Sequence, residues 1–123
     1  MNLLLDTHTA LWWLNKDRLV AGAAEAIADP DNLVYVSVAS IWEISIKQTI
    51  GKLTITDEFY TIVYEDFEPL HITISDARTA GSLPRHHRDP FDRMLVAQAL
   101  ARDLTLVSRD RALSRYGVKL MRA

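Results

Sequence analysis

Leu3-Leu4-Leu5 ends on Asp6, and Leu104-Thr105-Leu106-Val107 is followed three residues later by Asp110. Between these two points the chain alternates short apolar, β-branched runs with helical stretches. That alternation argues for an α/β domain built on a mostly parallel sheet. Leu33–Val36 reads as a buried strand, Leu70–Thr73 as a short third one, Leu104–Val107 as a fourth, and Val118–Met121 as a last edge strand. Helices are expected over Ala10–Leu14 (opened by Thr7 or Thr9), Ala21–Ala28, a stretch containing Glu43 (opened by Ser37 or Ser40, ended by Gly51), Glu58–Tyr64 and Ser75–Gly81. Asp89 followed by Pro90 is a strong helix start, with a capping side chain and then the favoured first-turn proline. That helix should run to about Asp103. A short helix Arg111–Tyr116 should stop at Gly117.

In such a sheet Asp6 and Asp110 fall at the carboxyl ends of strands, the edge where sites assemble in open α/β folds. Glu43 and Asp92 lie near the starts of helices and can reach the same edge. A carboxylate beside apolar sequence is costly unless its charge is compensated. Four of them on one edge suggest a shared compensator, a divalent cation. Each also has a simpler reading. Asp6 and Asp110 can cap the helices that follow them, and Glu43 can pair with Lys47 one turn on. Asp92 is the most informative, because it shares a helix stripe with Leu95, Val96 and Ala99 and so should face the core. Asp89 is read as a cap before it is read as a ligand. His86 and His87 are neighbours in one loop, a poor geometry for chelating one ion, and are read as facing the substrate. Trp12, Trp13, Trp42 and Phe91 are read as core or interface.

The bulk numbers fit this picture. The 123 residues suggest one domain spanning 1–123, and 49% apolar content is enough for a core. There is no cysteine, which excludes disulfides and thiolate metal sites and is compatible with the cytoplasm. No apolar run approaches membrane-spanning length, and the first residues do not resemble a signal peptide. The net charge of −2 hides an asymmetry. Residues 1–77 hold 4 basic and 12 acidic side chains, a balance of −8, whereas residues 78–123 hold 10 and 4, a balance of +6. A basic segment that carries two of the special acids suits a polyanionic substrate.

The chain resembles the PIN-domain ribonucleases, and within them the VapC-type toxins of bacterial toxin–antitoxin pairs. The likeness rests on Leu4-Leu5-Asp6-Thr7-His8, Val36-Ser37-Val38-Ala39-Ser40-Ile41-Trp42-Glu43-Ile44, Gly51-Lys52-Leu53, His87-Arg88-Asp89-Pro90-Phe91-Asp92-Arg93 and Leu106-Val107-Ser108-Arg109-Asp110, in that order. It implies an α/β/α sandwich over a parallel sheet of about five strands. It also implies a dimer, an antitoxin partner, an RNA substrate, and Mg²⁺ or Mn²⁺ at an acidic site. The family's acids map onto Asp6, Glu43, Asp92 and Asp110, with Asp6, Asp92 and Asp110 as ligands and Glu43 as an orienting group. Asp89, Thr7 and Ser108 would support them. Lys47, Arg85, Arg88, Arg93 and Arg109 are candidates for contacts to backbone phosphates. Two rivals stand beside this reading. One is another metal-dependent phosphohydrolase on the same sheet, disfavoured because His8 stands two residues after Asp6 where an aspartate-nucleophile phosphatase usually has a second Asp. The other is a silent binding module, whose expected mark, a missing acid, is not found.

Overall fold

Five parallel strands, in the order β3-β2-β1-β4-β5, form the centre of the molecule in a computed structural model that describes residues 1–15 and 19–123. The strands are β1 (Asn2–Leu5), β2 (Leu33–Ser37), β3 (Glu68–Leu70), β4 (Thr105–Ser108) and β5 (Lys119–Arg122). Among the described residues six helices join them: α1 (Thr7–Asn15), α2 (Ala21–Ala28), α3 (Val38–Thr49), α4 (Asp57–Asp66), α5 (Ile74–Ser82) and α6 (Pro90–Arg102). A 3₁₀ turn over Arg111–Tyr116 leads to Gly117, whose φ of +74° is the left-handed value glycine adopts without strain.

The period-2 alternation of the strands sorts their side chains into two cores. Leu3, Leu5, Val34, Val36 and Val107 pack under α1 to α4, with Ala10, Ile27, Ile44, Phe59 and Val63. Leu4, Leu106 and Leu70 point the other way, against Leu95, Val96 and Ala99 of α6 and against Leu113 and Val118. Because Leu3, Leu4 and Leu5 are all fully buried, β1 is covered on both faces, which is why its sequence is continuously apolar rather than alternating. Each of these leucines contributes roughly 1.5–3 kcal/mol by leaving water. The layers are therefore helix, sheet and helix, as the resemblance implies.

The sequence reading needs correcting at the third strand. β3 covers Glu68–Leu70, not Leu70–Thr73. Thr73 instead caps α5: its hydroxyl accepts from the Asp76 backbone N–H at 3.0 Å, and Asp76 Oδ2 accepts from the Thr73 N–H at 3.0 Å. This reciprocal box starts the helix and ends any extended run before it. Asp76 does a second job. Its carboxylate, only 2% exposed, receives the fork of Arg102 from α6 at 3.0 and 2.8 Å. The Arg102 hydrogen bonds hold the Asp76 carboxyl below its ordinary pKa, against the opposing effect of burial. The pair locks α5 to α6 on one side of the sheet.

From β1 the chain moves outward through β2 to β3, then crosses back to β4 on the far side of β1 and ends at β5. The direction of winding thus reverses between β1 and β4, and the crevice outside their carboxyl ends is the favoured place for a site.

Candidate active site

Asp6 is the first residue beyond β1. Its backbone N–H donates to the Val107 carbonyl at 3.1 Å, so it stays fastened to β4. Its Oδ1 accepts from the Thr9 N–H at 2.8 Å, which caps α1 and leaves the other oxygen for the cleft. Asp110 follows β4 in the same way. Its N–H donates to the buried Ser108 hydroxyl at 3.0 Å, and its Oδ1 caps the 3₁₀ turn through the Ala112 N–H at 3.0 Å. Capping uses one oxygen of each residue and so does not exclude a place for the other in the cleft.

Glu43 arrives from α3. Ser37 caps that helix, and helical spacing carries Ser40, Glu43 and Lys47 down one face. Thr7 Oγ1 is 2.6 Å from Glu43 Oε1, where it donates, and 3.1 Å from the Ser40 hydroxyl. Lys47 Nζ lies 2.9 Å from the other carboxylate oxygen. Asp92 comes from the first turn of α6, which starts at Asp89: Asp89 Oδ1 accepts from the N–H groups of Phe91 at 2.8 Å and Asp92 at 3.4 Å. Asp6, Glu43, Asp89, Asp92 and Asp110 all line one cleft of about 410 Å³.

The acids burden one another. Burial, followed by the negative charge of Asp89 and then smaller contributions from Asp6 and Glu43, pushes the Asp92 carboxyl up to about 7, while His87 pulls the other way. An isolated carboxylate would titrate near 4. Asp92 is therefore the group where the cost of packing these acids together is concentrated.

His87 is the residue whose place the sequence reading missed. Its Nε2 stands 2.7 Å from Asp110 Oδ2 and 3.4 Å from Asp92 Oδ2. Its Nδ1 accepts from the Asp89 N–H at 3.1 Å, so the proton of this ring belongs on Nε2, aimed at the two carboxylates. Ligation through Nε2 would require the opposite tautomer and the loss of the Asp89 bond. While that bond holds, His87 serves the acids as a donor. A signal was available in the sequence, because the ring lies two residues before the Asp89 cap, close enough for such a local bond.

Arg93 is a correction. It is not free to meet a phosphate, because its guanidinium is spent on backbone carbonyls: Nη1 on Pro84 at 3.0 Å, and Nη2 on Leu83 and Ala80, each at 2.9 Å. It pins the loop that carries His87 to the start of α6. Lys47 is held by Glu43, and Arg85 and Arg88 are exposed on the loop outside the cleft lining. Arg109 does line the cleft; its Nε donates to the Ala123 carbonyl at 2.9 Å, and its guanidinium lies 4.0 Å above the Trp12 ring.

The donor set suits a hard divalent cation, which prefers carboxylate oxygen and keeps several waters. Ligand atoms of His87, Asp92 and Asp110 lie within 4.8 Å of one another, with Asp6 outside this tightest group but on the same cleft wall.

Known proteins match this chain along most of its length. The family model for the PIN domain matches residues 3–119. Ribonuclease VapC22 of Mycobacterium tuberculosis is 30% identical over 115 residues, 90% of this chain and 88% of that protein. Among solved structures, a chain of VapBC2 from Rickettsia felis, bound to a DNA fragment from its promoter, superposes with a TM-score of 0.75 at 16% identity, covering 99% of this chain and 98% of that one. A chain of VapBC-5 from M. tuberculosis, a member of the VapBC family of toxin–antitoxin systems, gives 0.63 at 18% identity over 99% and 98%. At those identities the two structures speak for the fold. Among the described residues, no helix is long and apolar enough to cross a membrane.

Proposed function

Because this chain belongs to the PIN-domain family, we propose that it is an endoribonuclease using Mg²⁺ or Mn²⁺ held by Asp6, Asp92 and Asp110, and that it is the toxin of a toxin–antitoxin pair acting in the cytoplasm. The observation that carries this reading is the convergence of five carboxylates on one cleft, with Asp92 pushed up to about 7 mainly by burial and then by its acidic neighbours. When bound there, a divalent cation would lower the pKa of water and neutralise charge on the phosphoryl oxygens. The chain's own groups do the rest. Asp6 and Asp110 are each fixed through one oxygen by a helix start, which leaves the second oxygen pre-aimed. Glu43, held by Thr7 and Lys47, orients the attacking water. Arg109 is the cleft cation best placed for the RNA backbone.

Incubation of the pure protein with total RNA tests this reading. Defined fragments should appear only with Mg²⁺ or Mn²⁺ and carry 5′-phosphate and 3′-hydroxyl ends by mass spectrometry. A single 2′-deoxy substitution at the cut should leave cleavage in place. Cyclic 2′,3′-phosphate ends would overturn hydrolysis at the acids. Phosphate release from small monoesters alone would point to a phosphatase, and no activity to a binding module.

The antitoxin should seat a segment in the groove between α1 and α4, a channel of about 560 Å³ lined by Leu11, Leu14, Leu53, Ile55, Phe59 and Ile62. Two aromatics beside this groove are covered within the chain: Trp13 packs edge-on to Phe67, and Phe59 to Tyr60. The groove and Tyr64, 78% exposed, stay open. Co-expression with the neighbouring small reading frame should restore growth and give a copurifying complex. Ile62→Glu should weaken that complex about 100-fold, as loss of an anchor does, with RNA cleavage retained; an undiminished complex would move the interface elsewhere. We also read the outer face of α3 as the self-association surface, because Trp42, Ile46 and Ile50 recur there at helical spacing and are exposed. The mass of the same copurified complex checks this, since it should contain two toxin chains.

A further inference from the structure

Beside the acids, at the mouth of the same cleft, stands a stack of three side chains that nothing in the hydrolytic chemistry requires. His8 and Trp12, one helical turn apart on α1, have ring centroids 5.7 Å apart and planes inclined by 29°. The Arg109 guanidinium lies 4.0 Å from the Trp12 centroid, and its Nε is anchored on the Ala123 carbonyl. All three residues line the cleft. His8 is exposed, Trp12 is half-buried, and Arg109 is exposed despite its anchor. Asp6 lies two residues before His8 and Asp110 one after Arg109, so the stack joins the two strand ends that deliver these acids.

A pair of aromatics one turn apart would by itself be a small contribution to helix stability. Two further facts go beyond that. The outer member is a solvent-facing aromatic at the rim of an acidic cleft, and the inner one is backed by a fixed cation. A flat π-surface next to a positive charge is the arrangement that takes an unpaired base together with its phosphate. It also tolerates the acidic wall, because the ligand's negative charge meets Arg109 and not the carboxylates alone.

We propose that His8, Trp12 and Arg109 form a nucleobase-stacking subsite, which receives one unpaired base of single-stranded RNA adjacent to the phosphate lying against the acids. This rests on the reading of the cleft as an RNA-cleaving site, and it adds a contact surface to Trp12, which the sequence reading assigns to core or interface and which packs in part against the core. Trp12 borders both the α1–α4 groove and the cleft. The subsite makes the enzyme selective for unpaired segments, since a base inside a duplex has no free face to offer.

The test uses fluorescein-labelled, mixed-sequence single-stranded RNA octamers, with an octamer of abasic ribose phosphates as a probe of equal charge. Binding is read by anisotropy in the full chain carrying Asp92→Asn, so that nothing is cut. His8→Ala should weaken binding of the base-containing octamer about 5- to 100-fold, the range for loss of one stacked base. It should leave binding of the abasic octamer unchanged, and His8→Phe should restore the base-dependent part. In the cutting enzyme the His8→Ala loss should fall on KM more than on kcat. Alanine at a helix position keeps α1 folded, and a far-ultraviolet spectrum checks this. If the enzyme with native Asp92 cuts RNA but His8→Ala binds both octamers as before, the subsite is wrong while the nuclease stands. If that enzyme cuts no RNA, the reading of the cleft itself fails. Loss of the copurifying protein partner with RNA binding untouched would give the stack to a protein interface and overturn the proposal.

Discussion

Replacing Asp92 by Asn should lower RNA cleavage by roughly 10²- to 10³-fold, the scale for removing a group that stabilises developing charge, and should at the same time make the metal-free protein more stable at pH 8. Both effects come from the same carboxyl. With its folded-state pKa raised to about 7 against about 4 in an unfolded chain, the native protein binds more protons than the unfolded one between those values. Its stability therefore falls as pH rises from about 4 to about 7, and stays low above. Asn removes that dependence. The side chain is 21% exposed, so solvent screens part of the effect, and the gain at pH 8 should be roughly 2 kcal/mol, or about 6–10 °C in melting temperature. At pH 4 the two proteins should melt together. Adding Mg²⁺ should raise the melting temperature of the parent and hardly move that of the variant. A variant that melts lower than its parent at pH 8 without metal would contradict burial among acidic neighbours as the origin of the raised pKa.

A large loss of stability from one polar substitution away from the cleft should come from Arg102→Met. Asp76 is buried, and without the guanidinium its charge keeps only the bond from the Thr73 backbone N–H. Breaking a buried pair by removing one partner costs about 3–5 kcal/mol. Because Arg102 is itself partly exposed, roughly 3 kcal/mol is expected, measurable by urea unfolding. The sign with pH is opposite to that of Asp92. A carboxyl held below its ordinary value contributes stability that is present at neutral pH and lost as the solution is acidified through its folded pKa. The deficit of the variant should accordingly narrow below about pH 4. An equal deficit at every pH would assign the loss to packing of the arginine stem and not to the ion pair.

The sequence showed the acids clearly because each sits next to a local signal. Asp6 and Asp110 terminate apolar runs, and Asp92 interrupts a helix stripe that otherwise faces the core. What stayed hidden depended on distance along the chain or on competition between local preferences. The Asp76–Arg102 fork joins residues 26 positions apart, and no periodicity brings them together. Arg93 looks like any basic residue of a phosphate-binding segment until the loop folds back and its carbonyls claim the guanidinium. His87 reaches Asp110 from 23 positions away only because that loop is pinned. At the third strand two preferences compete. Ile72 and Thr73 favour extension, but the Thr73–Asp76 box opens a helix there, and the strand moves back to a segment containing Pro69, which an edge strand tolerates.

The strand order has a consequence for how the enzyme comes into being. β1 is the middle strand of the sheet and precedes the other four in the chain, yet its neighbour on one side, β4, begins about a hundred residues later. A growing chain on the ribosome can pair β1 with β2 and β3 early, and holds Asp6 and Glu43 from then on. The opposite wall of the cleft does not exist until α6 and β4 have emerged and inserted beside β1. Assembly of the acids thus waits for β4 and cannot be an early event of folding. Until β4 is seated, the chain carries Asp6 and Glu43 on one wall and half a site.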